Sequence, residues 1–164
     1  MKLVKTTPES DSVLENFIGE LSNELQIKFQ KKDYHIIKVI VWNGKKHKSK
    51  TLFSISFESI SSEFQLIFLP YSNHTVELFK INVVRRGNGF GTNLMNQILN
   101  VSDRMGVKIK LIPVDYDRDE NTPKNYLQKL KEWYVEMGFE SSKFPSIDPY
   151  YTYFPSVEEY KMVG

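Results

Sequence analysis

The stretch ELFKINVVRRGNGFGT, from Glu77 to Thr92, reads as a strand, a glycine-rich turn and the first turn of a helix. Val76, Leu78, Phe79, Ile81, Val83 and Val84 form a β-branched and aromatic run without Gly or Pro, the pattern of a strand buried on both faces. Gly87, Gly89 and Gly91 then alternate with Asn88 and Phe90. Beyond them Phe90, Leu94, Ile98, Val101 and Met105 recur at three- and four-residue spacings, the stripe of an amphipathic helix. A strand that enters a helix through residues lacking Cβ presents backbone N–H groups outward, with the positive end of the helix dipole behind them. Such a turn suits a phosphate or pyrophosphate.

The spacing narrows the type of turn. A dinucleotide fingerprint needs G-x-G-x-x-G, but counted from Gly87 the last position is Thr92, and counted from Gly89 it is Leu94. No Gly-Lys-Ser/Thr follows, so a P-loop fails as well. What stands here is Arg86-Gly87-Asn88-Gly89-Phe90-Gly91, an R-x-x-G-x-G directly after a hydrophobic strand. It resembles the acetyl-CoA pyrophosphate loop of the GNAT superfamily of acyl-CoA-dependent N-acyltransferases. A tight turn alone would need only one or two glycines.

The rest of the chain bounds the reading. Its 164 residues, 40% hydrophobic, suffice for one domain, residues 1–164, around one core. With 22 basic and 20 acidic side chains the net charge is +2, which calls for neither nucleic acid nor an anionic membrane. The absence of cysteine excludes disulfides, thiolate nucleophiles and Cys-ligated metals. The N-terminal residues lack an apolar signal core and no later apolar run is long enough to span a bilayer, so a cytoplasmic protein is expected.

In chain order, Met1 to Lys5 is either an edge strand or a loose end. Ser12 and Glu15 match a capping box, and Leu14, Phe17, Ile18, Leu21 and Leu25 carry a helix to about Lys31. Strands follow at His35–Trp42, Thr51–Glu58 and Glu63–Leu69, the last closed by Pro70; with the strand ending at Val84 they suggest an antiparallel meander. Asn43 to Lys50 reads as a hairpin loop carrying Lys45, Lys46, Lys48 and Lys50, either a solvated tip or a contact for RNA, an anionic substrate or another acidic partner. Gly106 stops the second helix, and Val107 to Ile112 is a strand that the helical crossover makes parallel to the first. Asp115, Asp117 and Asp119 fail as a calcium loop, because Glu120 stands where Gly is needed and Tyr126 where Glu is needed. Thr122-Pro123 caps a third helix with the face Tyr126, Leu127, Leu130, Trp133, Tyr134 and Met137, which Gly138 ends. Tyr150 to Phe154 is a last strand, read as core and pocket wall.

Trp133-Tyr134-Val135-Glu136-Met137-Gly138-Phe139 looks like the F-Y-x-x-x-G-F segment of GNAT proteins, in the family's order after the glycine loop. The resemblance covers about Val76 to Phe139; ahead of it the chain has one strand more than the common family order. It implies a mostly antiparallel twisted α/β (α+β) sheet with one parallel strand pair, flanked by helices. It further implies that acetyl-CoA lies along the strand at Ile81 and Val83, with its pyrophosphate on Arg86, Gly87, Asn88, Gly89, Phe90, Gly91 and Thr92. A backbone N–H of that strand would stabilise the thioester oxyanion. Tyr134 matches the tyrosine that protonates the leaving CoA thiolate. Glu77 stands where many members carry the general base, and strand alternation groups it with Phe79, Ile81 and Val83; His74, Asp115 and Asp117 are the fallbacks. The family's cofactor-binding asparagine position falls on Leu127, with Asn125 nearest.

The implied activity is acetyl transfer to a primary amine, small-molecule or protein-borne, in a ternary complex without a metal. His35, His47 and His74 show no metal-ligand spacing, and no G-x-S-x-G nucleophile elbow exists. Two alternatives stay open: a non-catalytic acyl-CoA- or partner-binding module, and a toxin-type acetyltransferase acting on aminoacyl-tRNA. Neither a membrane nor, tRNA aside, a nucleic acid is an expected partner; a homodimer is compatible.

Overall fold

The computed structural model describes residues 3–5, 7–42, 45–84, 89–114 and 122–156, with the backbone alone for 3–5, 35–42 and 45–53. The elements are β1 (Leu3–Lys5), α1 (Pro8–Leu25), β2 (Lys28–Trp42), β3 (Lys45–Ile60), β4 (Phe64–Ser72), β5 (Thr75–Val83), α2 (Phe90–Met105), β6 (Lys108–Leu111), α3 (Tyr126–Glu136), β7 (Glu140–Ser141) and β8 (Tyr151–Tyr153). The strands form one mixed sheet in the order β1-β3-β4-β5-β6-β8-β7, with β2 also on β3. The mostly antiparallel sheet flanked by helices is the expected α+β architecture. β2 to β5 are the expected meander, and α2 carries the chain from β5 to its parallel neighbour β6. The N-terminal residues resolve into β1, which adds a short second parallel pairing against β3. Among the described residues, no helix is long and apolar enough to cross a membrane.

Several boundaries differ from the sequence reading. α1 starts at Pro8: Thr7 is extended and its hydroxyl accepts from the Ser10 N–H at 3.3 Å, while Pro8 takes the first helical position. The Thr-Pro pair therefore prevails over the Ser12 capping box. The helix ends at Leu25, not Lys31, through left-handed Gln26. β2 and β3 are correspondingly longer, and Trp42 pairs directly with Lys45. Lys45, Lys46, Lys48 and Lys50 thus belong to a strand ladder rather than to a loop; Asn43 and Gly44 lie outside the described residues. Pro70 does not close β4, which continues to Ser72 across a register shift that accommodates the missing N–H. α3 begins at Tyr126, after a turn in which its N–H bonds the Pro123 carbonyl at 3.0 Å, so Thr122 is not its cap.

The main core lies on one face of the sheet. Leu14, Phe17, Ile18 and Leu21 of α1, Leu94, Met95 and Ile98 of α2, and Tyr134 of α3 pack with Leu66, Phe68, Val76, Leu78, Ile109 and Leu111 of the strands. Arg104 of α2 bridges to Glu20 and Glu24 of α1 at 3.7 and 3.3 Å. The apolar stripe of α3 is shallower than its sequence suggests: of the expected face only Tyr134 is buried, and Leu127 is exposed.

Nor is β5 buried on both faces. Its register against β4 steps from Ile67–Lys80 to Phe68–Leu78, so Phe79 is a bulge that the register skips. Val76 and Leu78 before the bulge, and Ile81 and Val83 after it, all contribute to the core. Glu77 and Phe79 lie on the other face, so Glu77 does not share a face with Ile81 and Val83. Val84, just past the strand, is 71% exposed.

Candidate active site

The pairing of β5 with β6 covers only Thr75–Lys108, Val76–Ile109 and Glu77–Lys110. From Leu78 to Val83 the β6-facing edge of β5 has no described strand beside it. Five residue steps at strand rise make this edge about 17 Å long. It starts at Glu77 and Lys110 and ends where the chain turns into α2. There Gly89 adopts φ +78° as the helix N-cap, a conformation that glycine supplies without strain. The first turn of α2 has neither a side-chain cap nor an acidic residue, so no carboxylate of that turn offsets the positive helix end. Gly91 is less constrained, since a Cβ there would make ordinary contact with Val83 at 3.9 Å. Arg86, Gly87 and Asn88 lie outside the described residues.

α3 is tied to this helix start: the Trp133 indole N–H donates to the Thr92 hydroxyl at 3.2 Å. Tyr134 follows directly, only 3% exposed, with its ring 5.0 Å from Trp133 and 5.5 Å from Phe139. Phe139 in turn meets Tyr153 at a tilt of 52°, and the Tyr153 hydroxyl donates to both Asp103 carboxylate oxygens at 3.0 and 3.2 Å. This aromatic series joins α3, β8 and α2 on the helical face. Burial, and secondarily the Asp103 carboxylate, push the Tyr153 hydroxyl up to about 12.

Across the sheet, at the point where β5 and β6 part, half-buried Glu77 accepts a hydrogen bond from the Tyr150 hydroxyl at 2.6 Å. The short distance marks a charge-assisted bond. Burial and the Glu77 carboxylate raise Tyr150 far above the ordinary tyrosine range, so this hydroxyl is a permanent donor. Tyr34 is raised too, first by burial and then by the Glu77 charge, and its ring meets Phe79 edge-on at 5.4 Å. Tyr71 meets Tyr150 edge-on at 5.5 Å, and Lys110 places its ammonium 4.7 Å from the Tyr71 ring centre and 5.7 Å from that of Tyr150. Leu69, the register partner of Glu77 on β4, is 1% exposed beside it. Tyr71, Tyr150 and Lys110 border an open depression of about 390 Å³ that extends over Thr75, Thr152 and Phe154. A carboxylate among tyrosine rings suits a primary ammonium, through charge pairing and cation–π attraction.

The structure therefore brings Glu77 together with Tyr34, Tyr71, Lys110 and Tyr150, none of which the sequence reading assigned to the base. Tyr150 is 73 residues from Glu77 and no spacing could have joined them. The register of the parallel pair would have pointed to Lys110. His74 is exposed in the turn before β5, where its carbonyl accepts from the Lys108 N–H at 2.9 Å. Asp115 and Asp117 lie outside the described residues. No cluster of three potential metal ligands occurs among the described residues.

No protein-family model and no curated protein matches the chain. Among solved structures it is similar to the crystal structure of the anti-CRISPR protein AcrVA5, with 18% identity and a TM-score of 0.46 over 60% of this chain and 97% of that one.

Proposed function

We propose that this chain transfers an acetyl group from acetyl-CoA to a primary amine. The observation that carries the reading is the parting of β5 from β6 at Glu77 and Lys110. It leaves an edge of β5 that leads from a tyrosine-held carboxylate to the N-terminus of α2. A pyrophosphate matches the helix end, through Gly89, Phe90, Gly91 and Thr92 together with Arg86, Gly87 and Asn88. An amide-bearing pantetheine arm matches the strand edge at Ile81 and Val83, which offers backbone donors and acceptors like those a further strand would use. The thioester then lies toward Glu77.

Glu77, oriented by the Tyr150 hydroxyl, takes the proton that the incoming ammonium must lose before its nitrogen can attack. A β5 backbone N–H stabilises the oxyanion, and Tyr134 supplies the proton for the departing thiolate. Assays of CoA thiol release over a panel of amines test the reading. Turnover that falls about 10²- to 10⁴-fold in Glu77→Gln supports it. Absence of thiol release with every amine, from protein that binds acetyl-CoA, contradicts it.

A second reading has one observation in its favour. Tyr134 is almost wholly enclosed by Trp133, Phe139 and the core, as a purely structural residue would be. A chain that holds acyl-CoA without turnover predicts that Tyr134→Phe and Glu77→Gln leave its only activity, binding, unchanged.

A further inference from the structure

We propose that Lys110 is itself an acetyl acceptor, modified in cis at the site described above; the inference rests on the acyl-transfer reading. Lys110 is the register partner of Glu77 and the last β6 residue paired with β5 before the strands part. Its ammonium donates to the Tyr71 hydroxyl at 3.3 Å and lies against the rings of Tyr71 and Tyr150. Tyr150 is the residue whose hydroxyl fixes Glu77. The chain's own primary amine thus occupies the position where an external ammonium would meet the aromatic wall.

Lys31 and Lys32 are both engaged with glutamates at 2.7 Å, whereas Lys110 forms no ion pair with any described carboxylate. Its ammonium is held by one hydroxyl and by ring faces, contacts that release an amine more readily than a salt bridge does. Lys108 supplies an internal comparison. It lines the same depression two residues earlier, but its ammonium lies 5.4 Å from the Phe154 ring centre and its register partner is Thr75.

In the reaction Lys110 gives up one proton to Glu77. Its Nζ lone pair forms the C–N bond to the thioester carbonyl carbon; as the C–S bond breaks the nitrogen releases its second proton, and the CoA thiolate leaves with the S electron pair and takes up one proton in balance. The products are Nζ-acetyl-Lys110 and CoA, with no oxidant or reductant. Acetylation removes the positive charge and the cation–π contact, so the modified side chain no longer places an ammonium before the aromatic wall.

Purified full-length chain, incubated with acetyl-CoA and read by site-resolved mass spectrometry, tests this. The expected result is acetylation of Lys110 at least about 10-fold faster than of Lys108, reflecting positioning. Its rate constant should be independent of protein concentration, slowed about 10-fold or more in Tyr150→Phe, and the mark absent in Lys110→Arg. Calorimetric binding of acetyl-CoA with Lys110 unmodified, or modified no faster than Lys108, would overturn the inference while leaving the acyl-transfer reading intact. A rate that rises with protein concentration would overturn modification in cis. No binding of acetyl-CoA would overturn both readings.

Discussion

The two faces of β5 are built on different physical terms. Toward the helices, Val76 and Leu78 are sealed against α1 and α2 with no polar side chain of β5 between them. Toward the other side, Glu77 and Phe79 stand half-buried among Tyr34, Tyr71 and Tyr150. The first face contributes stability through burial of apolar area. The second spends buried surface on a carboxylate and the hydroxyl groups that hold it, an arrangement retained for chemistry more readily than for stability. One bulge at Phe79 separates the roles along the strand: it returns Ile81 and Val83 to the core while Glu77 stays outside.

The comparison breaks most severely if the helical face is opened. Phe68, fully buried and in ring contact with Phe17 at 5.5 Å and Phe29 at 6.2 Å, is central to it. Phe68→Ala should cost about 3–5 kcal/mol, measured by denaturant unfolding. Glu77→Gln should do the reverse, changing the denaturant midpoint little while lowering turnover about 10²- to 10⁴-fold. If it destabilised the chain as Phe68→Ala does, the two faces would not be functionally distinct. Gly138 tests the joint between α3 and β8. At φ +106°, with a would-be Cβ 3.2 Å from the Tyr153 ring, Gly138→Ala should cost about 1–3 kcal/mol.

The smallest effect is a pH dependence on the helical face. Tyr153 has a folded-state pKa of about 12, above the ordinary tyrosine value near 10. Its neutral hydroxyl therefore contributes stability that is complete below pH ~10 and is lost as pH rises through ~12. Alkaline unfolding curves of Tyr153→Phe should lose that part of the slope and keep their shape below pH ~10.

Local patterning reveals the strand that ends at Val83, the helix that starts at Phe90 and the stops at Gly106 and Gly138, because each rests on neighbours in sequence. The parallel placement of β6 was equally legible, since a helical crossover between strands leaves little choice. The Phe79 bulge was not, because bulges depend on the partner strand. For that reason strand alternation put Glu77 with the wrong companions beyond Phe79. From sequence Tyr150 reads as core and pocket wall; its bond to Glu77 exists only because β8 folds back beside β6.

The central claim is that the edge of β5 between Glu77 and α2 receives acetyl-CoA. Calorimetric titration of the chain with acetyl-CoA, beside CoA, ATP and NAD, tests it most directly. Saturable binding of acetyl-CoA and CoA alone, lost in Gly89→Asp because a carboxylate at the N-cap would offset the positive helix end and repel the pyrophosphate, is the predicted result. No heat or thermal stabilisation from either CoA species at millimolar concentration would contradict it.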